Sequence, residues 1–374
     1  MKTATITYHA AHNYGAMLQA YALQQTLLSL GVENEIINYR SPAQRKHYPK
    51  VDDHPFSSFS HFAGWALHGG PFSCLHTKYR RFEAFLKEDL ALTKEYTDPS
   101  QLSEAGIGAD LYIAGSDQIW NTGMQDYDDV YFMPFVQNRP KISYAACLRL
   151  RPEEEADPAF LDRIRCRLAG FDAVSVRDEA SRSVASDLSG QEVQVHPDPT
   201  LLFDRTVWER KAGDRPLVKG PYVFVYNPYT IKEMDDLALA AGRQLGMKVL
   251  LSDMTSDLNA YFRMKKYLSC GPWEFVNLVR HAAFVVTASY HGVIFSLLFH
   301  RPFYALDCGD GRNISLLEQT GMSDRLVSPE NVRIKIAGMT DADFAGADAR
   351  ILKARQQGLE YLKQMVESRT HGTV

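Results

Sequence analysis

The chain has 374 residues, with 41 Lys plus Arg against 45 Asp plus Glu, a formal net charge of −4, and 45% hydrophobic and 23% charged residues. At roughly 100–200 residues per domain this is a two- or three-domain length, and the composition excludes disorder, collagen-like repeats and a long coiled coil. No overall basic field exists to attract nucleic acid, which is not an expected partner, and any anionic ligand must be held by a few placed cations.

Residues 2–8 alternate and are rich in Thr and Ile, the pattern of a strand, although 1–8 lack the apolar core of a signal peptide. A loop with Asn13 and Gly15 leads into the helix-periodic run Met17, Leu18, Tyr21, Leu27 and Leu28, which Gly31 stops before a second strand at 32–39. This β-α-β opening implies a parallel sheet, and strands at 111–114, 142–146, 173–176 and 193–195 continue it as one open layer system. A polar stretch with Lys211, Gly213, Asp214, Pro216 and Gly220 suits a linker. Strands at 222–226, 248–251, 284–287 and 303–306 then alternate with helices at 231–245, 272–281 and 292–300, and 341–365 reads as a helix returning toward the first domain. The expectation is an α/β fold of two Rossmann-like domains, 1–205 and 206–374, facing across a cleft. No run of about 18 apolar residues occurs, so the chain is expected to be cytoplasmic and non-spanning.

An insert at about 41–80 interrupts the first domain. It carries five of the twelve histidines, His47, His54, His61, His68 and His76, near heptad spacing, but Pro49, Pro55, Gly64, Gly69, Gly70 and Pro71 forbid one continuous helix that would align them for a metal. Phe56, Phe59, Phe62 and Trp65 recur every third residue. Packing on its own domain is the first reading of that stripe, and contact with an acceptor or a membrane surface is the second. The five cysteines, Cys74, Cys147, Cys166, Cys270 and Cys308, never form C-x-x-C, which argues against a zinc knuckle, a thioredoxin motif or a disulfide scaffold.

The nicotinamide, P-loop, zincin and serine-hydrolase signatures are all missing. Asp126-Tyr127-Asp128 matches a loose D-x-D pattern but reads as a solvated acidic loop. Four clusters stand where buried strands end, the place where open α/β sheets bind ligands. Asn13-Tyr14-Gly15 precedes a helix whose N-terminus favours an anion, though a plain β-α turn needs the same residues. Ser116, Asp117, Gln118, Trp120 and Asn121 can hydrogen-bond a sugar while the indole covers its apolar face, with a structural loop cap as the competitor. Arg177 leaves a strand end with a planar fork suited to carboxylate or phosphate, or to an internal pair with Asp178 or Asp198. His291, between Ser289-Tyr290 and Gly292, stands where an imidazole can exchange protons with a ligand.

Taken together these stretches resemble the polysaccharide pyruvyl transferase family: Asn13-Tyr14-Gly15-Ala16 with Leu18-Gln19-Ala20-Tyr21, Gly115 through Asn121, Ser143-Tyr144-Ala145-Ala146, Val176-Arg177-Asp178, Asp198-Pro199-Thr200, and Ser289-Tyr290-His291-Gly292. The resemblance implies a GT-B-like arrangement and transfer of the pyruvyl group of phosphoenolpyruvate onto two hydroxyls of a hexose. The product would be a cyclic ketal in a capsule, an exopolysaccharide or a polyprenyl-phosphate-linked precursor, made at the inner face of the membrane. Phosphoenolpyruvate would be a co-substrate, with no obligatory cofactor or metal. His291 would be the acid/base, Arg177 a donor-binding cation, and Asn13, Tyr14, Gly15, Ser289, Tyr290 and Gly292 would line the donor site. One departure stands out: well-studied members carry Arg where this chain has Ser289, whereas many broad-family sequences share the Ser-x-His-Gly form, so Ser289 marks either a charge supplied elsewhere or a subgroup with a different donor. In the first case Arg149 or Arg312 would have to supply the missing charge. The alternatives are a GT-B-like glycosyltransferase using a nucleotide sugar and a non-catalytic sugar-binding relative.

Overall fold

The computed structural model describes residues 1–47, 74–253, 257–328 and 339–370. They divide into two α/β units: a first with 1–47, 84–203 and 353–370, and a second with 74–83, 204–253, 257–328 and 339–352. The heptad histidines at 54, 61 and 68 and the aromatic stripe of Phe56, Phe59, Phe62 and Trp65 lie outside the described residues.

The strands of the first unit are β1 (Lys2–Ile6), β2 (Glu33–Ile36), β3 (Leu111–Ala114), β4 (Asp117–Asn121), β5 (Lys141–Ser143), β6 (Ala146–Arg149), β7 (Val174–Val176) and β8 (Val193–Val195). They form two parallel ladders, ordered β2-β1-β3-β5 and β4-β6-β7-β8, joined by the parallel Ile142–Ala173 bridge. The single strand expected at 142–146 is divided because Ala145 takes a left-handed backbone, φ +48°, which no strand can continue through. The polar run after β3, expected to be a ligand loop, instead forms β4 and buries Ile119 and Trp120.

The helix Tyr14–Ser29 is capped by Asn13 and is buried on nearly every side. Gln19 within it is an internal tie. Its amide donates to Thr7 Oγ1 at 2.8 Å and Ala16 O at 2.8 Å, and its carbonyl accepts the Ser116 N–H at 3.2 Å. A sequence that puts Gln at a core position thus fixes the β1 and β3 loops against each other, because a buried amide must find partners. Gly115 is required here: its φ is +126°, and a Cβ would lie 2.2 Å from Tyr144 O. We expect Gly115→Ala to cost about 3 kcal/mol in denaturant unfolding, through backbone strain and overlap. An unchanged midpoint would contradict this packing.

The second unit has β9 (Tyr222–Tyr226), β10 (Lys248–Leu251), β11 (Lys265–Lys266), β12 (Phe284–Thr287) and β13 (Phe303–Ala305), all parallel, in the order β11-β10-β9-β12-β13. Helices Lys232–Leu245, Leu258–Arg263, Pro272–Arg280, Tyr290–Leu298 and Arg312–Thr320 fall between or after them. The core joins Val223, Val225 and Val286 on the sheet to Met234, Leu237 and Ala241 on the first of these helices. Each fully buried Val, Leu or Met side chain among these contributes roughly 1.5–3 kcal/mol. Residues 74–83 of the helix Cys74–Glu88 group with this unit rather than with the first, where the insert was expected. Lys78 pairs with Asp253, and Arg81 reaches Ser269 O at 2.6 Å and Glu274 at 3.1 Å.

The last helix, Asp341–Thr370, contributes residues to each unit. In the first, Arg355 donates to the carbonyls of Leu201 at 2.8 Å and Phe203 at 2.7 Å, and Tyr361 OH to Ser143 O at 3.0 Å. In the second, His300 stacks on Phe344 and contacts Asp341 at 2.9 Å and Asp348 at 3.1 Å. No helix among the described residues is long and apolar enough to cross a membrane.

Candidate active site

In the second unit β12 lies between β9 and β13, so the loops leaving the carboxyl ends of these three parallel strands are neighbours. The middle loop runs Thr287-Ala288-Ser289 into the helix Tyr290–Leu298. Thr287 Oγ1 donates to Tyr226 O at 3.0 Å and accepts the Ser289 N–H at 3.0 Å, and Ser289 Oγ then accepts the Gly292 N–H at 3.4 Å as the helix cap. Ser289 therefore has a structural reason to be Ser. Gly292 lets the helix start sit against the strand, since a Cβ there would meet Thr287 Oγ1 at 2.4 Å. His291 lies in the first helical turn, 5% exposed, with the Tyr290 ring edge-on at 5.4 Å. The helix N-terminus adds a partial positive charge. We expect Ser289→Ala to lower stability by about 1 kcal/mol and Ser289→Asp to restore it, as read by denaturant midpoints.

The flanking loops bring a cation to the same end of the sheet. Arg312 opens the helix Arg312–Thr320 after β13. Its Nε donates to Asp310 at 2.6 Å, and its Nη2 donates at 2.9 Å to the hydroxyl of Tyr229, in the loop after β9. The Arg312–Tyr229 bond therefore joins the two loops that flank the one carrying His291. Asn313 ties the start of its helix to the middle loop through Ala288 O at 2.9 Å and to the end of β13 through Leu306 O at 2.7 Å. Burial pushes the Asp310 carboxyl up, but Arg312 more than offsets this and holds it below the usual carboxylate value. An imidazole, a guanidinium, a phenol and a helix N-terminus share one end of one sheet. Such a set can hold a carboxylate or phosphate and move a proton beside it.

The first unit uses most of its candidates internally, and several expectations need correction. Asn13 Oδ1 takes the Gly15 and Ala16 N–H groups at 2.9 and 3.3 Å, so the donors expected to meet an anion are capped by the chain itself. Tyr14 is 1% exposed and Gly15 is buried. Ser116 is fully buried and donates to Ala145 O at 2.6 Å. Trp120 is fully buried, stacked on Phe132 at 4.9 Å, with its N–H on Tyr131 O at 3.2 Å, so its indole presents no face to a sugar. Arg177 is 1% exposed and donates to Asp198 at 2.9 Å, with Asp117 at 3.8 Å: the internal pair, with Asp198 as its partner. Arg149 pairs with Asp178 at 2.8 Å and donates to Ser181 Oγ at 2.5 Å. Gln118 and Asn121, bonded to each other at 2.8 Å, are partly exposed, and Asp117 is nearly buried. Asp126 is buried, not solvated, and Asp128 accepts from Tyr39 OH at 2.6 Å.

Tyr229 and Asp310 escaped the sequence reading, although Asn227-Pro228-Tyr229 directly follows a strand and could have drawn notice by position. So did two buried imidazoles at the carboxyl ends of β1 and β8. His9 lies between Thr7 O at 3.1 Å and Asn38 Oδ1 at 3.0 Å, and His196 contacts Ser175 Oγ at 2.8 Å beside the rings of Tyr144 and Tyr361. Burial lowers both to about 4. The unfolded chain takes up these protons near pH 6.5 and the folded chain only near pH 4, so stability falls as the pH drops between those values. Melting temperature against pH should show that decline, reduced in His196→Gln. Among the described residues no group of three or more His, Cys, Asp or Glu is arranged to hold a metal ion.

Comparison with known proteins places this geometry in context. A family model described as polysaccharide pyruvyl transferase matches residues 13–310. No curated protein matches the sequence. Among solved structures, AviGT4, a glycosyltransferase involved in avilamycin A biosynthesis, is 11% identical over 98% of each chain with a TM-score of 0.52. The UDP-GlcNAc 2-epimerase from Neisseria meningitidis is 10% identical over 99% of each chain, TM-score 0.50. The N-terminal domain of Candida albicans trehalose-6-phosphate phosphatase is 9% identical over 100% of this chain and 99% of that one, TM-score 0.51. At these identities the likeness is one of fold, the GT-B-like class with two Rossmann-like units.

Proposed function

The chain belongs to the polysaccharide pyruvyl transferase family, and on that premise we propose that it moves the pyruvyl group of phosphoenolpyruvate onto two hydroxyls of a hexose, forming a cyclic ketal. The acceptor is a cell-surface glycan or its lipid-linked precursor, met at the cytoplasmic face of the membrane. The observation that carries this reading is His291 on a helix N-terminus, flanked by the Arg312–Tyr229 pair at the same sheet end.

The chemistry has defined requirements. The vinyl carbon takes a proton and becomes a methyl group, which leaves an oxocarbenium-like centre at the neighbouring carbon. One sugar hydroxyl bonds to that carbon and loses its proton, phosphate departs with the donor's C–O electrons, and the second hydroxyl closes the ring and loses its own. His291 is the group that takes and returns these protons. Arg312 and the start of the Tyr290–Leu298 helix hold the donor's negative charge, where Ser289 leaves no cation of its own. Purified protein given phosphoenolpyruvate and a panel of lipid-linked hexoses should release phosphate only with a matching acceptor. Release with none of them would remove the basis of the proposal.

Ser289 also favours testing a second reading, a nucleotide-sugar glycosyltransferase, because a helix cap stands where the family's cation is expected. A thermal shift with uridine or guanosine diphosphate sugars, and none with phosphoenolpyruvate, would select it.

A further inference from the structure

A pocket of about 450 Å³ opens on the first unit at the amino ends of β5 and β7, away from the carboxyl-end loops where ligands of such sheets are expected. Its volume lies within the roughly 300–1,000 Å³ range of small-molecule sites. Its walls include Arg139, Lys141, Gly170, Phe171, Asp172 and Arg369. Asp172 is the one carboxylate in the lining, beside three cations, an excess of positive charge in a chain of net −4.

Lys141 and Arg369 are held in place. Asp172 accepts the Lys141 N–H at 2.9 Å and pairs with Arg369 at 3.0 Å, which fixes the floor. Lys141 Nζ lies 5.1 Å from the centre of the Phe171 ring and 3.4 Å from the carbonyls of Phe132 and Met133. Gly170 makes room for it, since a Cβ there would meet Lys141 Cε and Nζ at 3.0 Å. Arg139 is exposed and has no ion pair or side-chain hydrogen bond among the described residues. Burial, then the nearby Arg167, pushes the Lys141 ammonium down from its ordinary value, a cost that a bound anion would relieve.

We propose that this pocket binds a phosphate-class dianion, either free or as the head group of a larger phosphorylated ligand. A dianion matches the excess charge, and guanidinium forks suit its oxygens. The inference is independent of the pyruvyl-transfer reading, which concerns the second unit's loops.

The test uses inorganic pyrophosphate as probe, by calorimetric titration of the full chain at fixed ionic strength, with co-sedimentation on phosphatidic acid against phosphatidylcholine vesicles. Arg139→Gln and Lys141→Gln should each weaken pyrophosphate binding about tenfold, the loss of one charge-assisted contact. Arg139 has no side-chain partner to lose, so that variant should keep the wild-type melting temperature. Arg312→Gln should retain the binding, which separates this pocket from the second unit's site. Binding of vesicles alone, lost in Arg139→Gln, assigns the phosphate to a lipid head group. Titrations and sedimentation that do not change in Arg139→Gln and Lys141→Gln, or no binding of either probe, overturn the proposal.

Discussion

His291→Ala should lower kcat for pyruvyl transfer by about 10²–10⁴-fold while leaving the KM for phosphoenolpyruvate nearly unchanged. The split follows from the division of labour at the sheet end. In the proposed mechanism Arg312 and the helix N-terminus hold the donor's charge, and both survive the substitution, because Ser289 still caps the helix and Gly292 still seats it on Thr287. Only the proton carrier is removed. His291→Gln keeps hydrogen bonding and loses proton exchange, so it should fall with Ala. Arg312→Gln should show the opposite pattern, a raised KM with a smaller change in kcat. A His291→Ala enzyme within a few-fold of wild type would remove the imidazole from the chemistry.

Arg177→Met should destabilise the protein by about 3–5 kcal/mol, because it leaves the Asp198 carboxylate buried without its cation. Arg177 is 1% exposed and Asp198 fully buried, so neither charge can turn to water without disturbing the fold. Asp198 also accepts the Thr200 N–H at 3.0 Å and hydroxyl at 2.7 Å, which fixes the turn after β8. Arg177→Met combined with Asp198→Asn should recover most of the loss, since the amide oxygen keeps that turn without a buried charge. Denaturant midpoints for the single and double variants measure this coupling. An Arg177→Met protein of normal stability but raised KM for phosphoenolpyruvate would make Arg177 a donor-binding residue instead.

Periodicity located most of the framework. β3, β8, β9, β10 and β12 occupy the ranges read from alternation, and the helices Lys232–Leu245, Pro272–Arg280 and Tyr290–Leu298 lie within two residues of theirs. These segments carry their signal locally, as apolar runs bounded by polar residues. β11 carries none, being two lysines paired to β10, so a tertiary neighbour alone makes it a strand. The division of 142–146 rests on the left-handed backbone at Ala145, and nothing in Tyr-Ala-Ala announces it.

The candidate site followed a similar rule. Polar residues at strand ends were found by position, but position does not show what a side chain is bonded to. Trp120 and Ser116 fit a sugar site by type, yet β4 buries Trp120, and Ser116 just before it donates inward to Ala145 O. Ser289 looked like a lost cation and is a helix cap. Arg312, noticed only as a substitute for that cation, gains its significance from Tyr229, 83 residues away in the chain and visible only once β12 is seen between β9 and β13.

The most direct test of the account is mass analysis of a lipid-linked hexose acceptor after incubation with the purified protein and phosphoenolpyruvate. The account predicts an acceptor heavier by one ketal-linked pyruvyl group, formed in step with phosphate and absent with His291→Ala. An acceptor that gains a sugar from a nucleotide donor, or an unmodified acceptor while the folded protein turns over another donor, would contradict it.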